Sequence, residues 1–151
     1  MSRAVFPSIP WERAAPLAQL ALRFALAVPF FLSGLTKWDG FGQLSDSAKY
    51  LFQEEFRLHV FGRLVPYPMP ELMALLSGAA EIVLPLLLVL GLGTRWAALG
   101  ILGMTAIIQL TVPDGWANFH LPWAAMALAL VAWGGGLLAL DRLIQDRPKF
   151  G

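Results

Sequence analysis

The chain has no cysteine and only two histidines, and its charged residues amount to 14%, against roughly 25% in a soluble domain. Without cysteine it has no disulfides, thiol chemistry, iron–sulfur ligation, thiolate zinc site or covalent haem attachment of its own. The near-neutral net charge of +1 provides no field that would recruit nucleic acid or an acidic partner, so nucleic-acid binding is not expected. What the chain has instead is apolar surface: 58% of its 151 residues are hydrophobic. A small domain leaves much of its surface wet, so this composition points to the lipid bilayer as the solvent. The length predicts a single membrane domain over 1–151.

The spacing of charged residues locates the spans. Few charges fall between Arg13 and Lys37, between Glu71 and Arg95, between Arg95 and Asp114, and between Asp114 and Asp141. Crossing the hydrocarbon takes about 20 residues of helix, and backbone in lipid must satisfy its own hydrogen bonds. The fold class expected is therefore all-α, an integral membrane four-helix bundle with spans at about 15–36, 71–92, 95–112 and 119–140. Trp11, Trp38, Trp96, Trp116 and Trp123 fall at span ends, where indoles favour the headgroup layer; Trp133 falls inside the fourth span. Gly91–Gly93 leaves so short a connection that the second and third spans must be antiparallel neighbours. The apolar run around Ala25-Leu26-Ala27 reads as a retained span rather than a cleaved signal, because Arg23 interrupts it and it continues to Ser33.

The loop at 37–70 is too long for a plain connection. Leu44, Ala48, Phe52, Phe56, Val60 and Leu64 recur every four residues, which predicts an extra amphipathic helix over the external membrane surface. Basic residues Arg3, Arg13, Arg95, Arg142, Arg147 and Lys149 share one side, against Lys37, Lys49, Arg57 and Arg63 on the other. This bias predicts both termini in the cytoplasm.

Ionisable residues inside spans are costly and mark candidate sites. Arg23 and Glu81 are the two within the first and second spans, and an intramembrane ion pair between them is expected. The lean of side chains toward the N-terminus of their own helix works against it. Toward the external half, His120, Gln109, Lys37, Trp38, Trp116 and Glu81 are expected around one polar pocket. A quinone headgroup needs donors for its carbonyls and a proton acceptor. Glu81 and His120 are the candidate catalytic residues, and Lys37, Gln109, Trp38 and Trp116 the candidate quinone-binding ones. The plain alternative is that the histidine and the ion pair only hold helices in register. No metal site is expected, and one span-bordering histidine argues against haem. Gly91 and Gly93 lack the third glycine and the βαβ context of a nucleotide site. Gly78, Ala79, Ala80, Gly100 and Gly103 read as helix-packing faces.

Arg23, Ser33-Gly34-Leu35-Thr36-Lys37, Gly78-Ala79-Ala80-Glu81, Leu90-Gly91-Leu92-Gly93-Thr94-Arg95, Asn118-Phe119-His120 and Leu138-Ala139-Leu140-Asp141 together resemble the DoxX family of small four-span membrane proteins, over about 17–141. The resemblance implies a bundle in the bacterial inner membrane, acting as a small subunit of a quinone-linked oxidoreductase complex such as thiosulfate:quinone oxidoreductase. It implies family-like positions at Arg23, Lys37, Glu81, Arg95, His120 and Asp141, with Arg95 and Asp141 as helix-end tethers. Quinone is the only cofactor implied, none is covalently bound, and electrons must come from a redox partner subunit. The alternatives are a non-enzymatic assembly or anchoring subunit and, less favoured by these residues, a small-solute transporter.

Overall fold

The computed structural model describes residues 11–145, with side chains described from Ala14 to Ile144. It is mostly helical. Helix α1 (Trp11–Leu35) leads into a hairpin of β1 (Trp38–Gly40) and β2 (Gln43–Leu44), then helix α2 (Asp46–Tyr50), which widens into a π-type turn at Leu51–Glu55. A second hairpin, β3 (Arg57–Val60) and β4 (Arg63–Pro66), precedes α3 (Pro70–Leu90). After a tight turn come α4 (Thr94–Thr111), a short irregular passage, α5 (Leu121–Trp133) and α6 (Leu140–Gln145).

Ala14–Leu35 and Pro70–Leu90 are long and apolar enough to cross a membrane, and only 22% and 28% of their most apolar windows are buried. A core helix of a soluble protein would be mostly enclosed, whereas these point most of their apolar surface outward. α1 packs along α3 and α4 along α5, and α1 also touches α5. Leu26, Ala27, Phe30, Leu88, Ala97, Ala98, Ile101, Ala127 and Leu130 form the shared core. The Gly91–Gly93 turn defines one end of the assembly, here the turn end, and residues 36–69 define the other, the loop end. At the turn end Gly91 takes φ 70°, and Leu92 and Gly91 donate their N–H groups to the carbonyls of Leu87 and Leu88. This closes α3 with a left-handed cap that glycine adopts without strain.

Two sequence expectations need correction. The four-residue stripe of the loop is helical only as far as Glu55. Phe56, Val60 and Leu64 fall in or beside the β3–β4 hairpin, whose register pairs Arg57 with Pro66 and Val60 with Arg63. The hairpin turns on Phe61 and Gly62, both at positive φ, the two-residue geometry that matches strand twist. The turn chemistry at Gly62 and the alternation along 57–60 outweigh a helical period that continues in sequence. The fourth span was expected to run to 140, but α5 ends at Trp133. Gly134 leaves the helix at φ 75°, ψ −171°, a conformation closed to side-chain-bearing residues. Trp133 therefore stands exposed at a helix end, the usual place for an interfacial indole. Of the basic residues behind the orientation argument, Arg3, Arg147, Lys149 and the side chain of Arg13 lie outside the described residues, as does the side chain of Trp11.

Glycines set how closely α3 is approached by α1 and by the residues that follow it. A Cβ on Gly34 would sit 2.9 Å from the backbone carbon and Cβ of Glu81, and one on Gly78 would sit 3.1 Å from the Trp38 ring. Gly103 meets nothing within 4 Å. Gly34→Ala is therefore expected to destabilise the fold by about 1–3 kcal/mol through overpacking against α3, while Gly103→Ala leaves stability equal or slightly higher by restricting the unfolded chain. Unfolding of both variants in mixed micelles, followed by circular dichroism, measures the difference.

Candidate functional site

A cavity of about 440 Å³ lies at the loop end among α1, α3 and α4, lined also by Phe52 of the π-type turn and by Phe56 and Tyr67, which flank the second hairpin. Its walls are mostly apolar: Phe30, Met73, Leu76, Met104, Ile107, Ile108 and Trp123, with Phe52, Phe56 and Tyr67 above. Ser45 caps α2 by accepting from the Ala48 N–H at 3.2 Å, which fixes where the segment carrying Phe52 begins. Phe52 packs edge-on against both Phe56 and Tyr67 at ring separations of 5.2 Å. The roof is tied to the helices by polar bonds. Tyr67 Oη lies 2.6 Å from Thr111 Oγ1, Gln53 donates to Glu71 at 3.0 Å, and the His59 Nδ1–H donates to the Leu110 carbonyl at 3.0 Å.

One wall carries an ion pair. Lys37 follows the end of α1, and its backbone N–H bonds back to the Gly34 carbonyl. Its ammonium reaches Glu81 Oε2 at 2.6 Å, with side-chain exposures of 13% for Lys37 and 5% for Glu81. Lys37 also donates to Ser33 Oγ at 3.3 Å, and Ser77 donates to Glu81 Oε1 at 3.0 Å. All four of these residues line the cavity. An ammonium has three N–H donors and a carboxylate about four acceptor sites, so after these bonds both groups retain hydrogen-bonding capacity at the cavity wall. The glycine at 34 makes the arrangement possible, because α1 and α3 can approach closely only where a Cβ is missing.

Arg23 does not pair with Glu81. It is 1% exposed, and its Nε donates to the Leu88 carbonyl at 2.6 Å while the two terminal nitrogens donate to the carbonyls of Leu138, Gly135 and Val89. Glu81 and Leu88 are seven residues apart on α3, about 10 Å along the axis. In antiparallel helices the two side chains lean in opposite directions, so Arg23 reaches the turn end and Glu81 the loop end. Arg23 thus satisfies the last carbonyls of α3 and the irregular strand after α5.

Asp141 completes this knot. Its carboxylate accepts from the backbone N–H groups of Gly93 at 2.6 Å and Thr94 at 2.9 Å, capping the start of α4, and its own N–H donates to the Gly91 carbonyl. Burial pushes its carboxyl upward, but the hydrogen bonds from Thr94 and Gly93 and the nearby Arg23 charge outweigh that and hold it below the ordinary carboxylate range. Asp141 is a helix-end tether, while Arg95 is exposed and lies against Gly134.

The single polar pocket expected from the sequence divides in two. Lys37 and Glu81 face the cavity. His120 Nδ1 and Gln109 Oε1 bond to each other at 2.6 Å, with the imidazole pressed on Gly115 and packed beside Trp123 at 5.5 Å. Neither lines the cavity, and Trp123 presents its own ring there instead. Trp38 packs on Gly78 with a buried indole N–H that finds no acceptor among the described residues, and Trp116 is exposed on the surface. The residues that sequence reasoning missed are Ser33, Ser77, Tyr67, Thr111 and the aromatic roof. The two serines carry a signal in their spacing: Ser77 and Glu81 are four residues apart on α3 and hence on one face, and Lys37 follows Ser33 by four, just past the end of α1.

The DoxX family pattern matches residues 18–114. The chain belongs to the DoxX family. This DoxX protein is accordingly a membrane protein in a lipid environment, and the matched stretch holds α3, α4, both hairpins, most of α1 and the Lys37–Glu81 pair. Asn118-Phe119-His120 and Leu138–Asp141, which contributed to the resemblance, lie beyond it. A relative from Haemophilus influenzae described as an uncharacterized protein is 29% identical over 137 residues, covering 83% of this chain and 82% of its own. No solved structure matches.

Two outcomes follow for the turn end. Arg23→Met removes the side-chain donor from four carbonyl groups, of which Leu88 keeps its bond from the Gly91 N–H, and is expected to cost about 3 kcal/mol of stability; Arg23→Lys recovers only part of it, because a single ammonium cannot reach the same fan of acceptors. Because the Asp141 carboxyl is held low in the folded protein, its contribution is fully present above the ordinary carboxylate range and is lost as pH falls through the depressed folded value. The unfolding midpoint of Asp141→Asn should therefore vary less with pH on the acid side than that of the unaltered protein.

Proposed function

We propose that this DoxX protein is a small multi-pass subunit of an oxidoreductase complex in the bacterial inner membrane. In this reading α1, α3, α4 and α5 form a four-span bundle comprising a single membrane domain, both termini are cytoplasmic, and the loop-end cavity receives a quinone headgroup. The observation that carries the reading is a single buried Lys37–Glu81 pair on the wall of an otherwise apolar cavity of about 440 Å³, a size within the range of small-molecule sites. A structural pair would gain nothing by facing an open volume, whereas a quinone needs an apolar slot with one donor and one proton acceptor.

Quinone reduction takes up two electrons and two protons. In this reading the electrons come from a redox carrier, such as a flavin, haem or iron–sulfur centre, on a partner subunit; without cysteine this chain has no thiolate ligands for an iron–sulfur centre of its own. Its own residues act on position and protons. Lys37 donates an N–H to a ring carbonyl, Glu81 takes up or delivers a proton at Oε2 while Ser77 holds Oε1, and Phe52, Phe56 and Tyr67 keep water from the head. The roles first assigned to His120 and Gln109 reduce to supporting Trp123 from behind.

The test is purification from native membranes in mild detergent, native mass spectrometry, and extraction of bound isoprenoid quinone. The unaltered protein should retain quinone together with a redox partner. Glu81→Gln, nearly isosteric, should remain folded and lose quinone-linked turnover, and Lys37→Met should lose quinone retention about ten-fold or more, the loss of one charge-assisted bond. A stable complex without quinone, with activity unaffected by both substitutions, would instead identify an assembly or anchoring subunit.

A further inference from the structure

The cavity has a side as well as a roof. Along α3 the exposed residues Leu72, Leu75, Leu76, Ala79, Val83, Leu86 and Leu90 follow helical spacing, as do Trp96, Leu99, Gly103, Ala106, Ile107 and Leu110 along α4. In a membrane protein these are the lipid-facing stripes. Leu76 and Ile107 belong to these stripes, at 53% and 51% exposure, and they also line the cavity. A residue that does both stands where the cavity meets the surface, and these two stand on facing sides of the α3–α4 gap. The two helices are joined by the short turn at one end and kept close at Gly100, where a Cβ would meet Leu84 at 2.9 Å; the cavity lies further along, toward the loop end. Leu76 is six residues into α3, about 9 Å from its start, and Ile107 four residues, about 6 Å, from the end of α4. Since the 21 residues of α3 span about the hydrocarbon thickness, the mouth faces the acyl chains. Toward the loop end stand the aromatic roof and its three polar ties, Tyr67–Thr111, Gln53–Glu71 and His59–Leu110, where Ser33 and Val112 also line the cavity while exposed.

We infer that the cavity opens sideways into the bilayer through a slot between α3 and α4, with Leu76 and Ile107 as its posts. Its ligand is a lipid-dissolved amphiphile whose polar head meets Lys37–Glu81 and whose hydrocarbon tail lies in the slot. This rests on the cavity being a ligand site, as proposed above, and adds the entry route and the two side chains that set its width.

The absence of native cysteine allows a test that needs no quinone. The full chain carrying Ala80→Cys, or separately Ile108→Cys, both on the cavity wall but on different helices, is labelled with a nitroxide and reconstituted into phosphatidylcholine–phosphatidylglycerol vesicles. Power-saturation electron paramagnetic resonance then compares relaxation by oxygen, which concentrates in hydrocarbon, with relaxation by a water-soluble nickel chelate. Oxygen should relax the label at both positions and the chelate at neither, and adding Leu76→Trp with Ile107→Trp should bring loss of the oxygen effect. Access by the chelate would mean an opening to water and would overturn the inference. So would a label reached by neither reagent, or an oxygen effect that survives the tryptophan pair. Either labelled position alone decides the matter if the other variant does not fold. Quinone retention is read in a separate experiment, so a sideways opening without bound quinone would reject the quinone assignment and keep the slot, and the reverse result would do the opposite.

Discussion

In hydrocarbon, a polar group that does not find its partner inside the protein has no water to fall back on. Most of the polar detail in this structure follows from that constraint. Thr105 and Thr111 return their hydroxyls to the carbonyls four residues earlier, Ile101 and Ile107. Arg23 spends its guanidinium on four carbonyls freed where α3 ends and where Gly134 breaks α5. Non-helical backbone at 134–139 is tolerated because a buried cation and the Asp141 cap satisfy the groups around it.

The same constraint separates the two ends of the molecule. At the turn end Arg23 and Asp141 bond to the backbone of α3, α4 and the segment after α5, and Asp141 also lines a second pocket of about 540 Å³ with Thr94, Arg95 and Arg142. At the loop end Lys37 and Glu81 neutralise each other, yet they do so on the surface of a cavity and keep hydrogen-bonding capacity toward it. Arg23 is thus taken up by backbone carbonyls, while Lys37 and Glu81 face the loop-end cavity. The difference lies in what surrounds them, and it separates a structural charge from a candidate site.

Much of this was legible in the residue order. Charge spacing located the first three long helices to within a few residues and overran the fourth, which ends at Trp133 rather than 140; Arg23 and Glu81 stood out because a charge in lipid is expensive, and Lys37 as a donor at the expected external pocket. Family membership could be read from motifs distributed along the chain. The loop was less legible: the period that placed a helix over residues 44–64 is real, but it cannot foresee that Phe61-Gly62 would turn the chain into a hairpin. Trp133 looked misplaced only until the helix was seen to end there.

By itself the sequence determined the solvent, the positions of most of the long helices, the absence of cysteine-based redox chemistry, and the short list of charged residues that had to be buried. These depend on composition and on one-dimensional spacing, which folding does not alter. Only the tertiary structure decided the pairings. Arg23 and Glu81 stand at similar nominal depth, and nothing in the chain order says that one reaches for carbonyls and the other for Lys37. That outcome depends on the opposite lean of side chains in antiparallel helices and on a glycine at 34 that lets two backbones meet, both three-dimensional facts about neighbours remote in sequence.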